Sequence, residues 1–196
     1  MASRNLYPHG RSMRDLRERT ASTAQPCIFI SHRSVDKRIA VAVAAAFDQA
    51  GLDYYLDTAD HGLQAAAADG NADAIVKAIE EGIRKSTHLL GIVTTSTQGS
   101  WWVPFEIGSS RAVAASAGVS DPGRRTAYLV DSDVTDLPAY MKVSSVLTVQ
   151  SELAAWIAGL LPRTVSLDES RIRTASAGAA RLQSVLPSTR YPIRYR

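Results

Sequence analysis

An α/β fold, with a five-stranded parallel sheet and helices on both faces, is the architecture this 196-residue sequence predicts. Three observations carry it. The apolar content of 45% and the length suit one domain with a sizeable core. Short apolar runs alternate with helical segments, in the order strand, helix, strand, helix. CIFI, residues 27–30, is continuously apolar, as expected of a central strand covered on both faces.

The elements follow in order. After CIFI comes the polar loop SHRSVD, where Ser34 is positioned to cap a helix with Asp36 in its first turn. That helix places Ile39, Val43 and Phe47 on one face and stops at Gly51. LDYYLD is the second strand. TADHGLQAAAADGN is a long polar and alanine-rich loop, a type that is usually functional or mobile inside a compact domain. ADAIVKAIEEGIRKS is helical, with Ile75, Ile79 and Ile83 in register. HLLGIVT is the third strand, and TSTQGS leads into a helix running through SSRAVAAS. TAYLV and VLTV are the fourth and fifth strands. SELAAWIAGLL closes the domain as an amphipathic helix, with Ser151 as its expected cap.

Charge divides the chain into three. Residues 1–26 hold five Arg against Asp15 and Glu18, and residues 163–196 hold seven Arg against Asp168 and Glu169. The middle is acidic, with ten basic and fifteen acidic side chains. The expected organisation is a basic arm at 1–25, a domain at 26–162 and a basic extension at 163–196 with ASAGAARLQSVL as a short helix. Neither arm has interleaved aromatics or a nucleic-acid motif, so both read as solvated flanks.

Several classes are excluded. The single Cys27 rules out an intramolecular disulfide and a paired-cysteine zinc site, and points to a reducing cytoplasm. The N-terminal stretch lacks the apolar core of a secretory signal, and no run is long enough to span a bilayer. Dinucleotide, P-loop and nucleophile-elbow glycine motifs are missing. His9, His32, His61 and His88 show no metal-ligand spacing, and no metal is expected. His88 opens a strand and reads as a packing or surface residue.

In a parallel sheet, ligands collect beyond the carboxyl ends of the strands. Three loops leave strands there: SHRSVD, DHGLQAAAADGN and TTSTQGS, the last leading to WWVPFE. With Ser100 as cap, Trp102 and Glu106 stand four apart on one helix face. Pro104 falls in the first turn, where its missing N–H costs least. Glu106 lies near the positive end of the helix dipole, which favours an ionised carboxylate. Such a carboxylate beside an aromatic face can stabilise positive charge on a ribose carbon during glycosidic cleavage. Spacing leaves a second reading open, in which Trp101 and Trp102 are core residues and Glu106 is a solvated helix residue.

Three segments together resemble the Toll/interleukin-1 receptor (TIR) domain family. IFISHRSVD, residues 28–36, resembles its first strand and loop. GLDYYLD, residues 51–57, with the following loop and IVKAIEEGIRKS, is similar to its second strand, BB loop and next helix. The Ser100–Glu106 pattern S-x-W-V-x-x-E, within residues 88–108, resembles the S-x-W-C-x-x-E of enzymatic TIR domains, with Val103 replacing the cysteine. The resemblance implies a flavodoxin-like sheet and NAD+ as substrate rather than as a bound cofactor. It implies that Glu106 is catalytic and that Trp102 lines the same pocket. Ser31, His32 and Arg33 would form another wall, and the loop from Asp60 to Gly70 would cover the site.

The implied products are nicotinamide plus linear, cyclised or base-exchanged ADP-ribose. The BB loop lacks the arginine-aspartate and proline-glycine pattern of animal adaptors, and no clear Phe-Trp box follows. Both departures favour a bacterial enzyme, similar to the signal-producing TIR component of anti-phage systems such as Thoeris. The implied partners are other TIR copies and a separate effector reached through a diffusible nucleotide, with neither nucleic acid nor membrane. Two alternatives stand beside this reading: a non-catalytic TIR scaffold, and a nucleoside deoxyribosyltransferase-like enzyme.

Overall fold

A computed structural model describes residues 26–56, 67–100, 102–118, 120–161, 176, 182–183 and 185–195. The five expected strands are present as β1 (Cys27–Ser31), β2 (Asp53–Tyr55), β3 (His88–Val93), β4 (Thr126–Val130) and β6 (Ser145–Leu147). They form one sheet in the order β2-β1-β3-β4-β6, and every pairing is parallel. The long helices are α1 (Lys37–Ala50), α2 (Ala72–Lys85), α3 (Trp102–Ser116) and α4 (Gln150–Leu160). A short two-stranded pairing, β5 (Asp136–Leu137) with β7 (Arg194–Tyr195), was not foreseen from the sequence.

Side chains alternate across each strand, so the sheet builds two cores. Ile28, Ile30, Leu90 and Ile92 face α1 and α4, where Val43, Phe47, Leu153 and Ile157 are buried. Phe29, Leu89, Val93 and Tyr128 face α2 and α3, where Ile79, Ile83, Val103 and Ile107 are buried. Gly82 decides how closely α2 approaches. A Cβ there would stand 2.9 Å from Tyr55 Cζ and 3.1 Å from Phe29 Cε2, and those two rings are stacked with centroids 5.0 Å apart.

The helix ends refine the sequence reading. Gly51 does stop α1, in the left-handed conformation at φ 74°. Ser34 does not cap it. Residues Ser34–Asp36 form a 3-10 turn, α1 starts at Lys37, and no side chain caps either start. Ser151 likewise is not the cap of α4, which begins one residue earlier. There the Glu152 carboxylate accepts the backbone N–H groups of Thr148 and Val149 at 2.7 and 3.3 Å. A charged acceptor in the first turn serves these donors better than a hydroxyl. The short helix expected at ASAGAARLQSVL falls mostly outside the described residues.

Candidate functional site at the β1–β3 edge

Strand order reverses direction at β1, since β2 lies on one side of it and β3 on the other. The crevice beyond the carboxyl ends of β1 and β3 is therefore the topological switch point of the sheet.

Ser31 ends β1. Standing two residues after Phe29, it faces the α2/α3 side. Its side chain is 1% exposed, and its Oγ makes no hydrogen bond among the described residues. Ser31 pairs in register with Gly91 of β3, and Gly91 pairs with Tyr128 of β4. Helix α3 lies across this row: Ile107 Cδ1 sits 3.9 Å from where a Gly91 Cβ would stand. His32 is buried, and its Nδ1 lies 3.4 Å from the Ile30 carbonyl. Arg33 is half-buried and donates from Nη1 to the Ser96 carbonyl in the loop after β3.

That loop is a 3-10 turn, Thr95–Gly99, held by its own hydroxyls. Thr97 Oγ1 accepts the Thr94 N–H at 2.9 Å, and the Ser100 N–H donates to the Thr97 carbonyl at 2.9 Å. Ser100 then caps α3 as expected, its Oγ accepting the Val103 N–H at 3.3 Å.

Trp102 and Glu106 share a stripe of α3 but sit at different depths. Trp102 is 44% exposed, with its ring edge-on to Phe105 at 5.9 Å, while Glu106 is 5% exposed. This reverses the reading in which Trp102 is core and Glu106 is solvated. Glu106 is buried together with Val103 and Ile107, on the side of α3 that packs on the sheet. Acidic side chains are rarely buried this far in a core stripe without a specific reason. Trp101 and Asp60 lie outside the described residues, as does the stretch 57–66 of the loop after β2.

The strands β1 to β4 almost entirely, the hydroxyl-lined edge and the stripe from Trp102 to Glu106 fall inside one match. The family model of the TIR domain covers residues 28–129, a little over half of the chain. The chain belongs to the TIR domain family. No curated protein matches it. The matched segment of the TIR domain includes Ser31, His32, Arg33, Trp102 and Glu106. Among the described residues no group of three or more His, Cys, Asp or Glu is placed to hold a metal ion, and no helix is long and apolar enough to cross a membrane.

Sequence reasoning missed one participant, Asp36. Its Oδ2 accepts from Thr94 Oγ1 at 3.0 Å and from Ser96 Oγ at 2.7 Å. The sequence placed Asp36 in the first turn of a helix and at the end of IFISHRSVD, and it placed the hydroxyls in TTSTQGS, but nothing local joined the two.

Proposed function

We propose that this TIR domain cleaves the nicotinamide–ribose bond of NAD+, as a glycohydrolase or ADP-ribosyl cyclase, with Glu106 as the working carboxylate. The observation that carries the reading is the burial of Glu106 one helical turn after the exposed Trp102, in the helix that follows the loop leaving β3. In the reaction, the bond from the ribose carbon to the pyridinium nitrogen breaks, and its electron pair neutralises that nitrogen. Nicotinamide leaves uncharged. Positive charge develops on the ribose carbon, where a carboxylate held in a weakly polarisable setting stabilises it most. Water then gives ADP-ribose and a proton, whereas a nucleophile within the same molecule gives a cyclic product.

Trp102 supplies a ring face for the nicotinamide, and Ser31, His32 and Arg33 bound the opposite side. NAD+ is the substrate, and no further cofactor is required. The family resemblance gives Asp60, which lies outside the described residues, a part in substrate binding. Self-association through TIR surfaces completes the site, and the product acts as a diffusible signal to a separate effector in bacterial anti-phage defence of the Thoeris type, inside the cytoplasm.

The test is incubation of the protein with NAD+, with products separated by chromatography and mass detection, beside Glu106→Gln. Nicotinamide from the wild type alone supports the proposal, and the mass of the second product separates hydrolysis from cyclisation. Linear ADP-ribose as the sole product removes the cyclic-signal version. Absence of nicotinamide, even in lysate from phage-infected cells, favours the non-catalytic scaffold. Turnover of deoxynucleosides without turnover of NAD+ favours a deoxyribosyltransferase.

A further inference from the structure

The two walls of the candidate site come from loops far apart in sequence, and one carboxylate joins them. Asp36 follows β1, in the segment that leaves Ser31 and carries His32 and Arg33. Thr94 and Ser96 follow β3, in the loop that launches α3 and therefore places Trp102 and Glu106. Both hydroxyls reach the same oxygen, Asp36 Oδ2, at 3.0 and 2.7 Å. The two hydroxyls are also 2.8 Å from each other. Two hydroxyl protons cannot fill three oxygen–oxygen contacts, so the carboxylate decides the arrangement. Ionised, it accepts from both, and these charge-assisted bonds are stronger than the hydroxyl–hydroxyl contact they replace. Thr94 Oγ1 is left free to accept the Ser96 N–H at 3.2 Å. Arg33 reinforces the join by donating to the Ser96 carbonyl. Ser96 is thus held from the β1 loop through both its side chain and its main chain.

We propose that Asp36 is a positioning residue: it clasps the β1 and β3 loops and so fixes the depth and direction at which α3 presents Glu106 to substrate bound against Ser31 and His32. The proposal rests on the catalytic reading of Glu106 given above. Asp36 does not touch the reacting atoms. Its effect reaches the site through Ser96, Ser100 and the first turn of α3. Losing the clasp loosens that turn, and a carboxylate displaced by an ångström acts from the wrong distance.

Because both donors converge on Oδ2, the geometry makes a sharp distinction between two substitutions. Asparagine has one carbonyl oxygen able to accept both protons, whereas alanine has none. Asp36→Asn is expected to keep kcat within about threefold of wild type, and Asp36→Ala to lower it by roughly 10- to 100-fold with a smaller change in KM. Thr94→Val with Ser96→Ala removes the donors at nearly constant volume and should reproduce the alanine variant, which keeps the test open if Asp36→Ala folds poorly.

Two readouts decide the matter. Amide hydrogen exchange over residues 94–103 should accelerate in Asp36→Ala and in the double variant but not in Asp36→Asn. Unchanged exchange in both overturns the clasp. Faster exchange with an unaltered kcat overturns the positioning role while leaving Glu106 as the catalytic group. A wild type that releases no nicotinamide defeats the catalytic reading instead, and the exchange data still decide the clasp.

Discussion

Along the β1–β3 half of the carboxyl edge, the strands run out into carboxylate, guanidinium and hydroxyl side chains; along the β4–β6 half they run into the chain's own C-terminal segment. Tyr191 Oη lies 3.1 Å from the Val130 carbonyl and 2.8 Å from the Asp131 carbonyl, just past the end of β4. Gln150, which opens α4, donates its N–H to the Pro187 carbonyl and its amide nitrogen to the Leu186 carbonyl. Ser132 N–H donates to the Val185 carbonyl at 3.2 Å. Leu182, Val185 and Leu186 complete the core between the sheet and α1/α4, and Arg190 pairs with Glu152. A parallel sheet leaves backbone groups to be satisfied beyond its strand ends. Here the β4–β6 half satisfies them with the C-terminal segment, through main chain and through the Tyr191 hydroxyl and Gln150 amide, and fills the space with aliphatic side chains. The other half uses the side chains of its own two loops, with Asp36 accepting from Thr94 and Ser96 and Arg33 donating to the Ser96 carbonyl. The first arrangement ties the tail to the fold, and the second is the one on which the proposed chemistry rests.

The largest expected effects separate the halves. Glu106→Gln should lower nicotinamide release by about 10²–10³-fold or more. Its thermal midpoint should stay close to wild type, because the substitution keeps the shape of the side chain. Leu186→Ala should do the reverse. Leu186 is fully buried, and its truncation should cost about 2–5 kcal/mol, read as a lower denaturant midpoint. Turnover per folded molecule should be unchanged. Equal stability losses in the two variants would erase the distinction.

How much of this was readable differs between the halves for physical reasons. Strands such as CIFI and TAYLV and the isoleucine stripe of α2 announce themselves through local periodicity, and Gly51 through its stop position. The tail did not. Leu182, Val185 and Leu186 have the i, i+3, i+4 spacing of a buried stripe, but they stand among arginines, and the composition concealed them. At the site, four-residue spacing put Trp102 and Glu106 on one stripe without saying which was buried, because depth is set by packing on β3 and not by the helix itself. Asp36 was read as a first-turn helix residue because that signal is local. Its actual partners are 58 and 60 residues away. The residues 1–25 and the loop holding Asp60 lie outside the described part of the chain.

The amino edge of the sheet supplies a control that belongs to neither half. His88 opens β3, accepts or donates at Nδ1 with Thr87 Oγ1 at 2.9 Å, and meets Trp156 edge-on at 6.3 Å. Burial, with Arg125 nearby, pushes its pKa down to about 4 from 6.5. Between those two values the unfolded chain binds a proton that the folded chain does not. Stability is therefore full above pH 6.5 and declines as the pH falls toward 4, by up to about 3 kcal/mol. Replacing His88 with Gln should flatten that part of the stability–pH curve, measured by urea midpoints. An undiminished slope would mean that carboxylates elsewhere carry the acid sensitivity.

The smallest effect tests the strap itself. Tyr191→Phe removes one hydroxyl and leaves the ring, so the cost should be about 1 kcal/mol, that of a single hydrogen bond. The Tyr191 hydroxyl is pushed up to about 12, first by burial and then by Asp131, Glu152 and Asp133. A phenolate there would face two carbonyl oxygens and those carboxylates. A raised pKa means the contribution is complete below pH 10 and lost as the pH rises through about 12. Ser132 and Arg194 donate their N–H groups to the Val185 and Thr135 carbonyls beside this strap. In Tyr191→Phe those two amides should exchange faster than in the wild type at neutral pH, with residues 94–103 unaffected. If the β3 loop responded as well, the two halves of the edge would be coupled, and the tail would bear on the site as well as on the fold.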